Sequence, residues 1–215
     1  RQLVDAIKAY SDTLNLQEQF GLLNNPEMQH DRVRLFANLA NAQAGLRQLV
    51  DAIKAYNDAL NLQEQFGLLN NPEEQFTRVS LLMNRAVAQA TSGQLVEAID
   101  GYEDALKIQD QFGLLSYPQG QSTRVRLLIN RANVEQDLGQ LIEAIKSYDD
   151  ALNMQDQFGL LNNPEEQQDR VRLLMNRAGA QKDLGQHVEA IKGYDDALAL
   201  QEQFGLLNNP AGQYD

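Results

Sequence analysis

Proline occurs five times in the 215 residues, at Pro26, Pro72, Pro118, Pro164 and Pro210, each 46 positions after the one before. The same interval governs the rest of the chain. Gln2–Tyr10 recurs identically as Gln48–Tyr56, and variants of it begin at Gln94, Gln140 and Gln186. The chain therefore divides into units 1–46, 47–92, 93–138 and 139–184, with a partial fifth at 185–215. Self-similarity at such a period means that one supersecondary unit is repeated, so length counts repeats and not domains. The chain opens at Arg1, inside a unit and without an initiator methionine, so we expect a single array that is a segment of a longer protein.

Each unit reads as two helices. From Gln140 to Phe158 the apolar or small residues Ile142, Ala144, Ile145, Tyr148, Ala151, Leu152 and Phe158 make one broad stripe at helical spacing, with no strand-like alternation. Gly159 follows, as Gly21, Gly67, Gly113 and Gly205 follow the same phenylalanine, and a glycine there can take the left-handed conformation that closes a helix. We term this helix B. Asn163-Pro164-Glu165-Glu166 is then a start signal, with a capping asparagine, a proline in the first turn and two carboxylates at the positive end of the dipole. Helix A follows, with Val171, Leu174, Ala178 and Leu184 on its buried side, and Gly185, like Gly139 and Gly93, opens the turn to the next helix B. In the first unit that position is Arg47, so its turn should differ. A lone hairpin leaves a flat apolar side, and stacking hairpins covers it. The expected fold class is all-α, an α-solenoid of antiparallel helix A/helix B hairpins.

The residues Leu174-Met175-Asn176-Arg177-Ala178, Leu184-Gly185 and Glu189-Ala190-Ile191, then Tyr194 and Ala197-Leu198, resemble the tetratricopeptide repeat. The resemblance recurs in every unit. The family's usual repeat is about 34 residues, and the longer unit here is similar to the long-helix branch represented by kinesin light chain. Arg177 and Gln181 stand where the family has leucine and tyrosine, which predicts a more polar helix A packing. The resemblance implies a right-handed α-solenoid, a superhelix in which helix A lines a concave groove and helix B forms the outer wall.

On that implied groove face, Asn38, Asn84, Asn130 and Asn176 occupy one position in all four complete units. Asparagine inside a helix is mildly unfavourable, and its amide carries a donor and an acceptor that suit the backbone of an extended peptide. The competing explanation is a hydrogen bond between neighbouring repeats. Arg34, Arg126 and Arg172 lie one turn earlier, with Ser80 in the second unit. Asn41 and Asn133 lie three residues later, with Val87 and Gly179 in the other copies. These nine residues form the candidate peptide-binding site. Arg85, Arg131 and Arg177, at a position the family buries, are expected to form salt bridges with Asp104, Asp150 and Asp196. The stretch Gln-Phe-Gly-Leu-Leu, as at Gln65–Leu69, is expected to add core between repeats.

Little supports catalysis. His30 and His187 fall at different repeat positions and outside any ligand motif, and no phosphate loop or nucleophile elbow occurs. Consecutive aspartates such as Asp149-Asp150 point about 100° apart on a helix and do not converge. We expect no enzyme, no cofactor and no metal. The absence of cysteine excludes disulfides and thiol chemistry. No apolar run reaches the ~18 residues of a membrane span, so no membrane partner is expected and a cytoplasmic location is. A net charge of −12 disfavours nucleic acid. That charge is uneven: the helix A segments, from each proline to the next unit, carry 0, 0, +1 and 0, while the helix B segments carry −1, −1, −4, −3 and −3, with Asp215 supplying the rest. The reading is a non-enzymatic interaction scaffold whose groove takes an acidic or neutral peptide or a partner's helix. The alternatives are a structural spacer with end-to-end self-association and, less favoured, an RNA-binding array.

Overall fold

The computed structural model describes residues 2–22, 25–162 and 164–205. Among these are nine α-helices and no strand: α1 Gln2–Gln19, α2 Pro26–Gly45, α3 Leu49–Gln65, α4 Pro72–Thr91, α5 Leu95–Gln111, α6 Pro118–Asp137, α7 Leu141–Phe158, α8 Pro164–Asp183 and α9 His187–Gln203. The even-numbered helices are the predicted helices A and the odd-numbered ones the helices B. Four A helices open on proline, whose missing N–H costs nothing in a first turn. Asn71 caps α4 by accepting from the Glu74 N–H at 3.0 Å, and Asn25 accepts from the Glu27 N–H at 3.0 Å. Tyr117 takes that place before α6 and supplies no side-chain cap. The cap expected at Asn163 and the helix start expected at Pro210 lie outside the described residues.

The chain forms two compact units, Arg1–Leu114 and Leu115–Asp215. In the first, α2 pairs with α3 and α4 with α5, and α3 packs on α4 while α1 packs on α2. In the second, α6 pairs with α7 and α8 with α9, joined by α7 against α8. Within each unit the A helices also touch one another, α2 with α4 and α6 with α8. The cores are built from the copied stripe: Tyr56, Ala59 and Leu60 on α3, Tyr148, Ala151 and Leu152 on α7, and Val79, Leu82, Val125, Leu127, Val171 and Leu173 on the A helices are all buried.

Three predicted core positions are not core. Ile142 is 67% exposed, like its equivalents Val50 and Val96. At about 100° per residue it lies some 120° from Tyr148 around the helix, outside the packed arc. Leu184 is also exposed, beyond the end of α8. In the Gln-Phe-Gly-Leu-Leu stretch the first leucine is buried at Leu68 and Leu114, half-buried at Leu160 and exposed at Leu22, whereas Phe66, Phe112 and Phe158 are half-buried and Phe20 is exposed. The glycines after those phenylalanines are left-handed as expected, Gly159 at φ 61°. Arg47 takes φ 58°, keeping the turn that Gly93, Gly139 and Gly185 make elsewhere.

Candidate functional site

The solvent-facing sides of the A helices carry the candidate residues, and the helical repeat puts them there. Leu39 and Ala40, or Leu127 and Leu128, point into the core, so Asn38 and Asn130, and Arg34 and Arg126 one turn earlier, face away from it. In the first unit Asn41 of α2 and Asn84 of α4 line a recess of about 360 Å³ with Tyr56, Ala44 and Val87, and Arg47 is its charged member. In the second unit Asn130, Asn133 and Arg126 of α6 and Asn176 and Arg172 of α8 line another of about 360 Å³, together with Glu165 and Asp169. Asn38 and Arg34 line a third recess, of about 430 Å³, against α1.

Two of these recesses share one hydrogen-bond arrangement. Asn84 Nδ2 donates to Asn41 Oδ1 at 3.3 Å, and the Tyr56 hydroxyl donates to the same oxygen at 2.6 Å. Asn176 Nδ2 donates to Asn133 Oδ1 at 3.1 Å, and the Tyr148 hydroxyl reaches that oxygen at 2.6 Å. Burial pushes the Tyr56 phenol up to about 12, and Tyr148 upward as well, reinforced by Asp137 and Glu135, so both stay protonated donors. The hydrogen bond between neighbouring repeats is therefore present at Asn84 and Asn176. Each of these amides keeps its Oδ1 and one N–H for another partner.

The arginines differ from one another. Arg172 is ion-paired with Asp169, and Arg34 lies 3.9 Å from Asp31. Arg126 has Thr123 at the position of those aspartates, is exposed, and makes no ion pair among the described residues.

The second set of arginines pairs differently from expectation. Arg177 Nε lies 2.8 Å from Asp149, not from Asp150 or Asp196. Arg85 donates to Asn57 Oδ1 at 2.8 Å, and Arg131 pairs with Glu135 at 3.1 Å and donates to Ser147 at 2.8 Å. Asn57 and Asp149 precede by one residue the recurring aspartate position, and one residue on a helix turns the side chain by about 100°. The arginine thus meets the face of helix B that is turned toward helix A. Burial raises the Asp149 carboxyl more than Arg177 lowers it.

A recurring arginine that the sequence reading passed over is Arg32, Arg78, Arg124 and Arg170. Arg78 donates to the Leu60 carbonyl at 3.4 Å and is ion-paired with Glu64, and Arg170 donates to the Leu152 carbonyl at 3.3 Å and pairs with Asp156 at 2.8 Å. Arg32 does the same with Leu14 and Glu18. The signal was available: four arginines in register, each 14 residues after an acidic residue.

Among the described residues no group of side chains could hold a metal ion, and no helix is long and apolar enough to cross a membrane.

With this geometry established, comparison places the fold. Residues 125–158 match the tetratricopeptide repeat. BtubC (BKLC) from P. vanneervenii is similar over 100% of this chain and 78% of its own, at 18% identity and a TM-score of 0.71. A Podosopora anserina protein of kinesin light chain type, with nearly identical TPR-like repeats, is similar over 94% of this chain and 88% of its own, at 20% identity and a TM-score of 0.69. PlcR of Bacillus thuringiensis, solved with the peptide PapR7 and DNA, is similar over 96% of this chain and 69% of its own, at 16% identity and a TM-score of 0.63. No curated protein matches the sequence. At these identities the solved structures carry the fold alone. The fold is a TPR-like stack of helical hairpins, and the segment that matches the tetratricopeptide repeat runs from α6 into α7, across the boundary between the units 93–138 and 139–184.

Proposed function

We propose that this protein is a non-enzymatic interaction scaffold that binds an extended peptide, or a helix of a partner, along the faces of helices A. The observation that carries this reading is the pair of recesses between A helices, at Asn41/Asn84 and at Asn133/Asn176, each with amide donors and acceptors left over. The charge distribution fits the same reading, because the helix A segments are near neutral while the helix B segments carry the acidity. Coulomb repulsion therefore does not keep an acidic or neutral peptide from this face. Among proteins of similar fold, PlcR was solved with a peptide, and a Rap protein with the Competence and Sporulation Factor. PlcR was also solved with DNA, but the charge of −12 here argues against a phosphate backbone.

The test is a peptide array, followed by titration of the best binder against wild type and a variant with Asn38, Asn84, Asn130 and Asn176 all changed to alanine. At least tenfold weaker binding with an unchanged circular dichroism spectrum supports the proposal. Equal affinity removes it.

Self-association is a second reading, favoured by the exposed Ile191 and Leu198 of α9, since Leu152, the α7 equivalent of Leu198, is buried. Light scattering over a concentration series separates the two, because a constant monomer mass excludes self-assembly.

A further inference from the structure

We propose that the recess beside the α2–α3 turn selects a carboxylate with an apolar side chain next to it, and that Arg47 is the residue that selects. This rests on the helix A reading above and assigns the ligand chemistry of one of its recesses.

Arg47 stands in that turn at φ 58°, the only positive-φ residue other than glycine among the described residues. Gly93, Gly139 and Gly185 make the same turn in later repeats, with no Cβ to crowd the backbone. A residue held in such a conformation points to a local function, because strain of this kind gathers at ligand sites. The fold itself makes no use of the side chain. The Arg47 guanidinium is exposed and has no hydrogen bond or ion pair among the described residues. Its backbone is nonetheless fixed, since the Arg47 N–H donates to the Ala44 carbonyl and the Gln48 N–H to the Gln43 carbonyl, each at 2.9 Å. A strained, anchored backbone therefore carries a free cation.

That cation lines the recess of about 360 Å³, and of the residues lining it Arg47 alone is charged. Asp51, the nearest carboxylate along the chain, is not among them. Ala44, Leu49 and Val87 supply an apolar wall, with Val87 42% exposed and so open to a ligand. The hydroxyls in the recess are already engaged: Tyr56 donates to Asn41 Oδ1 at 2.6 Å and Thr91 to the Val87 carbonyl at 2.8 Å. Leu49 is the first residue of α3, whose N-terminus no side chain caps, so the helix dipole adds to the positive potential at that end. A guanidinium fork matches the two oxygens of a carboxylate, and the wall beside it excludes water from an apolar neighbour. The recess between α6 and α8 has the same volume and a different chemistry. There Arg126 and Arg172 are set against Glu165 and Asp169, so an anion meets no uncompensated charge.

The experiment follows the Val87 and Thr91 amide resonances of the full, nitrogen-15-labelled chain during titration with two pairs of probes. Acetyl-Asp-Leu-amide against acetyl-Asn-Leu-amide offers a side-chain carboxylate, and acetyl-leucine against its amide offers a terminal one. In at least one pair the carboxylate member should bind more tightly by about fivefold, the upper range for an exposed ion pair. Asn133 and Asn176, which report the other recess, should show no such preference. In Arg47→Gly the preference should vanish while the affinity for the amide probe is unchanged. Folding does not confound this variant, because glycine makes the same turn in the later repeats. No preference in either pair, an equal preference at Asn176, or one that survives Arg47→Gly overturns the assignment. Each of those results leaves binding along helix A standing, since the array-selected peptide tests that reading separately.

Discussion

Arg47 is the residue where the repeat is under strain. It sits at φ 58°, a conformation that Gly93, Gly139 and Gly185 adopt without steric cost in the later units. A left-handed residue with a Cβ costs roughly 1–2 kcal/mol, of which glycine's looser unfolded state returns about half. Arg47→Gly should therefore stabilise the fold by about 0.5–1 kcal/mol in urea denaturation, and a loss of stability would refute the strain. The buried tyrosines give a second residue-scale expectation. Burial raises Tyr56 from 10.0 to about 12, and Tyr102 and Tyr148 are pushed upward as well. A phenol that holds its proton more tightly when folded contributes stability that is fully present below pH 10. That stability is lost as pH climbs from 10 through the folded value of about 12. Helix content should hold to about pH 10 and collapse between about pH 10 and 12, in step with tyrosinate absorbance at 295 nm. Tyrosines that all ionise near pH 10 with the helices intact would contradict it.

At the scale of elements, the junctions depend on a buried cation that spans two helices. The Arg170 guanidinium is held by the Leu152 carbonyl and by Asp156, whose side chain is 59% exposed while that of Arg170 is only 17% exposed. The two partners should therefore respond unequally. Arg170→Ala removes the packing and the bond to a carbonyl and should cost about 1–3 kcal/mol, whereas Asp156→Asn removes an exposed pair and should cost less than about 1 kcal/mol. Equal costs in thermal denaturation would show that the ion pair, and not the buried half, holds the junction. Helices and turns were legible in the sequence because their signals are local and copied: the prolines at N-termini, the glycines at C-termini and the stripe centred on Tyr148. Misreadings arose where one residue of helical phase decides the outcome. Ile142 fell off the packed arc, and Arg177 met Asp149 in place of Asp150 or Asp196. The candidate asparagines were visible as a register. Their bracing was not, because it joins a tyrosine of helix B to two A helices and leaves no local pattern.

For the whole molecule, the account makes helices A the reading surface and helices B the acidic exterior. Nothing in the fold by itself assigns that division, since both kinds of helix expose polar side chains. It rests on the recesses at Asn41/Asn84 and Asn133/Asn176 and on near-neutral charge along α2, α4, α6 and α8. The direct measurement is a photo-cross-linking map, with a diazirine placed at successive positions of an array-selected peptide and the linked residues located by tandem mass spectrometry. Cross-links should fall on α2, α4, α6 and α8, grouped around Asn41 and Asn84 in one unit and Asn133 and Asn176 in the other. Cross-links confined to α3, α5 and α7 would contradict the account.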